Sequence, residues 1–292
     1  MMLAAVKRVF GDHLEMNDYR WVAVLISLVF MLAATYALTV LFTQLTTPHV
    51  AALGVTLFLI SPFSFFLSAG YTDSILIFLI AVTFIAARKE HWLLAAIVVG
   101  IATATRVTGV FLIPTLLLIA WRAGVGRTTL ALIATVSPLG LIAYMVWQWI
   151  NLGSPIQFYT VQSHWGGFHD RTGQYVQAFA ESPLGWILDN ADSPTLLLNV
   201  GVCVLWWATL WPMYRRFGLS FTFFNALIIL QSSMFILSQG RYLLAAIGAF
   251  ITLAAVIEDR PQWPILKYGV LVSFMLAFTT LALLFANGQW II

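Results

Sequence analysis

Long apolar runs separated by short polar breaks fill almost the whole chain. A helix that spans a bilayer needs about 20 apolar residues, within a range of roughly 17–25. Ten apolar segments are found at 21–42, 49–67, 73–88, 91–105, 107–121, 128–150, 195–214, 220–237, 241–257 and 265–287. The pattern therefore predicts an all-α fold, a polytopic membrane helix bundle of about ten transmembrane segments, as a single domain over residues 1–292.

The composition indicates that lipid is the solvent of these helices. Hydrophobic residues make up 61% of the chain and charged residues 9%, whereas a soluble globular domain averages about 25% charged residues. The 12 tryptophans fit the aromatic belts found at membrane surfaces. The single cysteine, Cys203, cannot form an internal disulfide. We expect an integral, multi-pass protein of the plasma membrane in a prokaryote or of the ER membrane in a eukaryote.

The basic residues sort into two groups along the chain. If the break at 68–73 is placed on the outer side, alternation of the helices satisfies the positive-inside rule. The inner residues are then Arg88, Lys89, Arg122, Arg127, Arg215, Arg216, Arg260 and Lys267, and the outer ones are Arg106, Arg171 and Arg241. Because the basic residues form topology signals rather than a phosphate-binding stripe, membrane lipids are expected partners and nucleic acid is not.

Two stretches are too polar to span a membrane. Residues 1–20 predict an amphipathic surface segment whose acidic side chains form a solvated face. Residues 151–194 are the longest connection, and the alternation places this loop on the extracytoplasmic side. Loops of this length are usually functional or disordered, and its many aromatic residues argue against disorder. We expect it to fold onto the membrane surface.

Charges inside apolar sequence are the first candidates for chemistry. A charge at bilayer depth costs roughly 2.5–3.5 kcal/mol on insertion scales, so it is usually kept for a function. Asp73 follows Tyr71 and Thr72 in SAGYTDS. A carboxylate there can serve as the catalytic base that takes a proton from an attacking hydroxyl, and its two neighbours can bind substrate. The structural alternative is that Thr72 or Asp73 caps the third helix.

Two arginines are the candidate ligands for an anion. Arg106 lies in TATRVTG and Arg241 in SQGRYLL, followed by Tyr242 as a further substrate-binding candidate. A guanidinium keeps its charge and binds phosphate bidentately. A helix that opens beside Arg241 would add the favourable dipole of its N-terminus. The alternative for both arginines is an interfacial anchor whose charged head reaches the lipid headgroups.

The motif SPIQFYTVQSHW opens the long loop. Gln162 and Trp165 offer an amide and an indole, which suit the hydroxyls and the apolar face of a sugar. The alternative is an amphipathic surface helix anchored by Trp165. His164, His169 and Asp170 match no strong metal-ligand spacing, so neither a metal nor another cofactor is expected.

Five motifs occur in a fixed order: SPFSFFLSAGYTDSILIFLIAV, TRVTGVFLIP, GSPIQFYTVQSHW, SQGRYLL and FANGQWI. Their order and spacing resemble the PIG-V-type mannosyltransferases, the family that includes the GPI second-mannose transferase and its prokaryotic relatives. The resemblance covers essentially the whole chain. It implies an inverting glycosyltransferase of the GT-C class that moves a hexose, typically mannose, from a polyprenyl-phosphate donor to a lipid or glycan acceptor. It places residues 71–73 at the mouth of an outer-face site, both arginines near the lipid phosphate, and Gln162 and Trp165 on the sugar.

The start of the chain departs from this family. Members of the class have a helix and an acidic outer loop, in a tryptophan–aspartate context, before the position of KRVFG at residues 7–11. We therefore expect the natural start one helix earlier, and a truncated non-catalytic homologue is one alternative function. A lipid or solute transporter is the other. Transporters often show two related halves with matched broken helices, whereas the polar breaks here gather at one face.

Overall fold

The structure is a computed structural model that describes residues 16–161, 177–178, 180–189, 193–233, 239–260, 262 and 264–288. Every regular element in these ranges is helical, which confirms the predicted all-α fold for this part of the chain. The helices are α1 Met16–Leu45, α2 Pro48–Leu59, α3 Asp73–Arg88, α4 Trp92–Thr105, α5 Leu112–Arg122, α6 Arg127–Val136, α7 Leu139–Leu152, α8 Gln157–Thr160, α9 Pro183–Asp189, α10 Pro194–Ser233, α11 Gln239–Leu243, α12 Ile247–Glu258 and α13 Pro264–Ala286. Two 3-10 turns, Ser64–Leu67 and Val107–Phe111, precede α3 and α5.

Four helical stretches of the described residues are long and apolar enough to cross a membrane. They are Tyr19–Leu45, Arg127–Leu152, Thr195–Ser233 and Pro264–Ala286. Large apolar side chains such as Trp21, Leu32 and Ile150 are exposed on these helices, as expected for groups that meet lipid. Shorter apolar helices include Pro48–Leu59, Trp92–Thr105, Val107–Arg122 and Ile247–Glu258. Length and composition thus fit a membrane-embedded helical bundle, and the number of ten spans stays a prediction.

Several predicted segments are interrupted by backbone breaks. The segment 128–150 divides at Pro138 into α6 and α7, because proline lacks an amide proton and disrupts the preceding turn. The segment 241–257 divides between α11 and α12. The surface segment predicted at 1–20 overlaps the beginning of α1 at Met16 and stays a prediction; the residues before Met16 lie outside the described part of the chain.

Helix α10 turns back on itself at Gly218. The backbone there has φ 79° and ψ 177°, a conformation that glycine adopts readily because it lacks a Cβ. Contacts join the two arms: Cys203 Sγ lies 3.3 Å from Ser233 Oγ, and Trp207 Nε1 donates to the same oxygen at 2.9 Å. The segment predicted at 195–214 and the described part of the next one, 220–233, therefore form one helical hairpin.

Buried aromatic side chains fill the centre of the bundle. Helix α1 packs on α2 and α3, α3 packs on α4, and α12 packs on both α2 and α10. The ring of Phe250 contacts Phe58 edge to face at 5.4 Å and Trp206 at 4.9 Å between centroids. Such aromatic pairs add about 0.5–1.5 kcal/mol beyond the burial of their area. Phe250 therefore couples α2, α10 and α12 in one core.

Two hydrogen bonds show that α1 and α3 run in the same direction. Ser27 Oγ donates to the Tyr71 carbonyl at 3.4 Å, just before α3 begins. Arg88 Nη2 donates to the Gln44 carbonyl at 3.1 Å, where both helices end. The end of the bundle where α3 begins is called the Asp73 end below.

The opposite end of the bundle carries a separate set of ion pairs and is called the Glu258 end. Glu258, the last residue of α12, lies 3.2 Å from His49 Nε2 and 2.6 Å from Lys267 Nζ. Arg216, beside the bend of α10, pairs with Asp259. These contacts join the beginning of α2, the bend of α10, the end of α12 and the beginning of α13.

The positions of five basic residues agree with the two groups predicted from the sequence. Arg88, Arg216 and Lys267, predicted to share the inner side, lie at the Glu258 end. Arg106 and Arg241, predicted to lie outside, are both found at the Asp73 end. Which end faces the cytoplasm stays a prediction.

Helices α4 and α7 meet at two glycines, which generates a prediction about stability. A Cβ at Gly140 would overlap the carbonyl oxygen of Gly100, so Gly140→Ala must push the helices apart. We expect it to lower the free energy of unfolding by about 1–3 kcal/mol, as overpacking does. Unfolding of the purified protein in detergent measures this loss. Gly269→Ala is the control, because a Cβ there meets no atom within 4 Å; equal losses in both variants would contradict the close packing.

Candidate functional site

Asp73 lies at the centre of a buried charge cluster. It is the first residue of α3, and its side chain is 5% exposed. Arg106 Nη1 donates to Asp73 Oδ1, and Arg241 Nε donates to Asp73 Oδ2 at 3.0 Å. The two arginine side chains are 11% and 22% exposed. Because a single carboxylate is shared by two guanidiniums, this trio carries a net positive charge.

A tight turn places Arg106 at the end of α4. The backbone at Arg106 is extended, so the helix stops there and the chain enters the following 3-10 turn. Gly109 in that turn lies directly on the Ala102 carbonyl, and a Cβ at this glycine would overlap it. The close return of the chain keeps the guanidinium beside the first turn of α3.

Arg241 lies in the middle of α11, a helix of five residues. The sequence predicted that a helix would open at Arg241 and offer its N-terminus to phosphate. A helix does open beside Arg241, at Gln239, but it ends at Leu243, and the longer α12 begins only at Ile247. The phosphate site at this helix N-terminus stays a prediction, and a helix of five residues contributes only a small dipole. The capacity to bind an anion at this position therefore comes from the guanidinium itself.

Aromatic rings cover both arginines. Arg241 Cζ lies 4.3 Å from the centroid of the Tyr71 ring and 5.7 Å from that of Phe66. Arg106 Cζ lies 5.0 Å from the centroid of the Tyr242 ring. Cation–π contacts contribute about 0.5–1 kcal/mol at exposed sites and about 2 kcal/mol when desolvated. Each arginine is thus held by the shared carboxylate and by a tyrosine from a different segment.

The capping alternative explains only part of this geometry. Thr72 is the N-cap residue of α3, but its side chain makes no capping hydrogen bond. Its backbone oxygen accepts from the amide of Leu76 at 3.0 Å. Asp73 lies in the first turn, where the helix dipole favours a negative charge, yet both of its oxygens are directed to arginines. Starting the helix and holding the arginines are therefore compatible roles of this residue.

Five predicted site residues form one cluster in the structure. They are Tyr71, Asp73, Arg106, Arg241 and Tyr242. Thr72 adjoins them as the half-buried N-cap. Gln162 and Trp165 lie outside the described residues, as do the histidines considered for a metal. The catalytic and substrate-binding roles of all these residues stay predictions.

Two buried residues that contact the backbone of α11 were missed by the sequence analysis. Asn199 Oδ1 accepts from the amide of Gly240 at 3.1 Å, and Trp206 Nε1 donates to the carbonyl of Leu243 at 3.1 Å. An amide within an apolar run is a signal that could have identified Asn199. A tryptophan in a membrane helix gives no such signal, because tryptophans are frequent throughout this chain.

The cluster has the chemistry of an anion-binding site. Each guanidinium has several N–H donors, and the ion pairs with Asp73 use one nitrogen of each. Guanidinium groups match the oxygens of phosphate and carboxylate groups. The neighbouring aromatic rings provide apolar surfaces on which a sugar ring can stack. Among the described residues, no group of three His, Cys, Asp or Glu side chains could hold a metal ion.

The burial of Asp73 generates a prediction about folding. Asp73→Asn leaves two mostly buried arginines without their carboxylate, and breaking a buried ion pair typically costs about 3–5 kcal/mol. Asp259→Asn is the matched control, because the Asp259 side chain is 54% exposed and surface pairs contribute about 0–1 kcal/mol. Thermal unfolding in detergent compares the two variants. Equal losses would show that the Asp73 pairs contribute no more than a surface pair.

No protein-family model, no curated protein and no solved structure matches this chain. The resemblance to the PIG-V-type mannosyltransferases and the GT-C fold therefore remain proposals. The geometry of the Asp73 cluster and the order of the sequence motifs are the two features that point to a function.

Proposed function

We propose that this chain is a membrane glycosyltransferase that moves a hexose from a polyprenyl-phosphate carrier to an acceptor hydroxyl. Mannose is the proposed hexose. The observation that carries the proposal is the pair of partly buried arginines that share Asp73 at one end of an apolar helical bundle. In this proposal the carrier phosphate binds the arginines while its hydrocarbon chain stays among the lipids. The five ordered motifs that resemble the PIG-V-type family support the same substrate class and a GT-C fold.

The proposed reaction is a substitution at the anomeric carbon. The acceptor hydroxyl attacks from the face opposite the carrier phosphate, a new C–O bond forms, and the bond between the anomeric carbon and the phosphate oxygen breaks. The electron pair leaves with the phosphate, and the hydroxyl proton passes to a carboxylate. Arg106 and Arg241 stabilise the charge that grows on the departing phosphate. Because phosphate is already a good leaving group, no general acid is required.

Asp73 has two successive roles in this proposal. In the structure both of its oxygens accept hydrogen bonds from arginines, which lowers the repulsion between two like charges held close together. When the donor phosphate takes over the donors of one guanidinium, one carboxylate oxygen is released. That oxygen can then accept the proton of the acceptor hydroxyl. Asp73 thus assembles the arginines first and acts as the base afterwards.

The remaining predicted residues complete the substrate site in this proposal. Tyr71 and Tyr242 already lie against the arginines and offer ring faces to the sugar. Thr72, Gln162 and Trp165 supply further polar and aromatic contacts, the last two from the long loop at 151–194. The ten predicted segments then cross the membrane as one domain, with the Asp73 end extracytoplasmic and the Glu258 end cytoplasmic.

A transporter is less well supported by the arrangement of charges. Transporters commonly bind their substrate near the bilayer midplane, between two related halves. The described ion pairs lie instead at the two ends of the bundle, around Asp73 and around Glu258. The packed aromatic core around Phe250 occupies the region between α2, α10 and α12.

Replacing a guanidinium by an ammonium tests this proposal. Arg106→Lys keeps the charge that pairs with Asp73 but loses the planar fork that fits phosphate. We expect transfer of labelled mannose from polyprenyl-phosphate mannose to fall about a hundredfold to a thousandfold per folded protein, since a lost transition-state donor costs about 2.7–4 kcal/mol in a protease. The assay uses the purified chain in liposomes that contain a membrane lipid extract as the acceptor source.

Arg216→Lys is the matched control for this assay. Arg216 is also paired with a carboxylate, Asp259, but lies at the opposite end of the bundle. Its replacement is expected to leave transfer unchanged. Unaltered transfer in Arg106→Lys would show that Arg106 does not bind the donor phosphate. If the label instead enters sealed liposomes and no mannosylated product forms, the protein is a transporter and not a transferase.

A further inference from the structure

The short helix α11 carries two residues of the cluster, Arg241 and Tyr242, on only five residues. Isolated helices shorter than about 12–15 residues are marginal in water even for favourable sequences. Helix α11 therefore owes its position to contacts from other elements. Those contacts decide where the Arg241 guanidinium lies relative to Asp73.

Two side chains from the first arm of α10 hold the backbone on either side of Arg241 and Tyr242. Asn199 Oδ1 accepts from the amide of Gly240, and Trp206 Nε1 donates to the carbonyl of Leu243, both at 3.1 Å. Asn199 and Trp206 are separated by about two helical turns, so they lie on the same face of the arm. Their exposed fractions are 2% and 1%, so water cannot easily replace either bond.

Aromatic side chains restrict the movement of Gly240 and of the Trp206 ring. Gly240 lies directly against the ring of Phe63, and a Cβ at this glycine would overlap it. The Trp206 ring is fixed by Phe250 at 4.9 Å and lies 6.5 Å from Phe274 between centroids. Helix α11 is therefore confined between the first arm of α10 and the break that follows α2.

We propose that Asn199 and Trp206 are positioning residues of the transfer site, which fix Arg241 and Tyr242 at the distances that Asp73 and the donor phosphate require. The inference rests on the proposed function for the nature of the substrate. Its physical basis is that misplacement of a binding group by about 1 Å can cost about a hundredfold in rate. Without the two hydrogen bonds, α11 can shift while the rest of the bundle stays folded.

The structural alternative is that the hydrogen bonds of Asn199 and Trp206 only satisfy buried backbone groups of α11 and have no effect on donor binding. A variant that merely destabilises the fold lowers the amount of active protein and so lowers the maximal rate. It leaves KM for the donor unchanged, because KM does not depend on the concentration of active enzyme. A positioning residue acts on Arg241, which binds the donor phosphate in the proposal, so its loss raises KM.

Trp206→Phe removes the N–H donor and keeps an aromatic ring in the core. We expect KM for polyprenyl-phosphate mannose to rise about tenfold, which corresponds to the loss of one buried hydrogen bond. Trp207→Phe is the matched control, because Trp207 Nε1 donates to Ser233 and not to α11; its KM is expected to stay unchanged. A KM and a kcat per folded protein that both stay unchanged in Trp206→Phe would overturn the proposal for this residue.

Asn199→Leu and Asn199→Asp form a second matched pair. Both variants lose the amide N–H donors, but only the aspartate keeps an oxygen that can accept from the Gly240 amide. We expect the leucine variant to raise KM about tenfold and the aspartate variant to restore most of the loss. Equal KM values in the two variants would overturn the role of the Asn199 acceptor.

A measurement without any sugar donor separates this inference from the proposed function. The Tm of the purified chain in detergent is compared for Trp206→Phe, Asp73→Asn and the double variant. If Trp206 holds Arg241 on Asp73, the double variant loses less than the sum of the single losses, because the first change already disturbs the ion pair that the second removes. Additive losses would overturn the positioning role. Non-additive losses in a chain that transfers no sugar would retain the positioning role and reject the glycosyltransferase.

Discussion

The sharing of one carboxylate by two arginines is the interaction on which the candidate site depends. Asp73 begins α3, Arg106 ends α4 and Arg241 lies in α11, so three separate parts of the chain meet at one side chain. Charged groups in an apolar protein are tolerated when they are paired and hydrogen-bonded. Two arginines side by side would repel each other, and the acid between them removes most of that cost while leaving a positive charge for a ligand. Tyr242 and Tyr71 complete the arrangement through cation–π contacts with Arg106 and Arg241.

The bundle separates its charges from its core. The described ion pairs lie at the Asp73 end or at the Glu258 end, and the aromatic contacts of Phe58, Trp206 and Phe250 lie between α2, α10 and α12. The irregular elements of the Asp73 end, two 3-10 turns and the five-residue α11, are consistent with this division. Irregular backbone within a membrane is tolerated where protein or a wet cavity covers it. Phe63, Asn199 and Trp206 provide that cover around α11. The same irregularity allows side chains from different helices to converge on Asp73.

Much of the fold could be predicted from the sequence, because long continuous apolar runs in a chain this poor in charge favour helices, which satisfy their own backbone hydrogen bonds in lipid. The predicted segments at 21–42 and 265–287 correspond to α1 and α13 with small shifts of their ends. The details that the apolar pattern does not show lie where a local feature interrupts it. Pro138 divides a predicted helix, Gly218 joins two predicted helices into one hairpin, and the break before Ile247 isolates α11. A mean hydropathy taken over a window of residues includes such positions, so it locates an apolar segment but not a backbone break within or beside it.

The sequence by itself determined that the chain is helical and apolar. It also singled out Asp73, Arg106 and Arg241 in the short polar breaks between apolar runs, because a charge in lipid is costly and is usually kept for a function. The tertiary structure decided that these three residues meet, that each arginine stacks on a tyrosine, and that Asn199 and Trp206 hold the helix that carries Arg241. The physical reason is the separation along the chain. Residues 33 and 168 positions from Asp73 come together only through the packing of helices, and no local pattern records which helix packs on which.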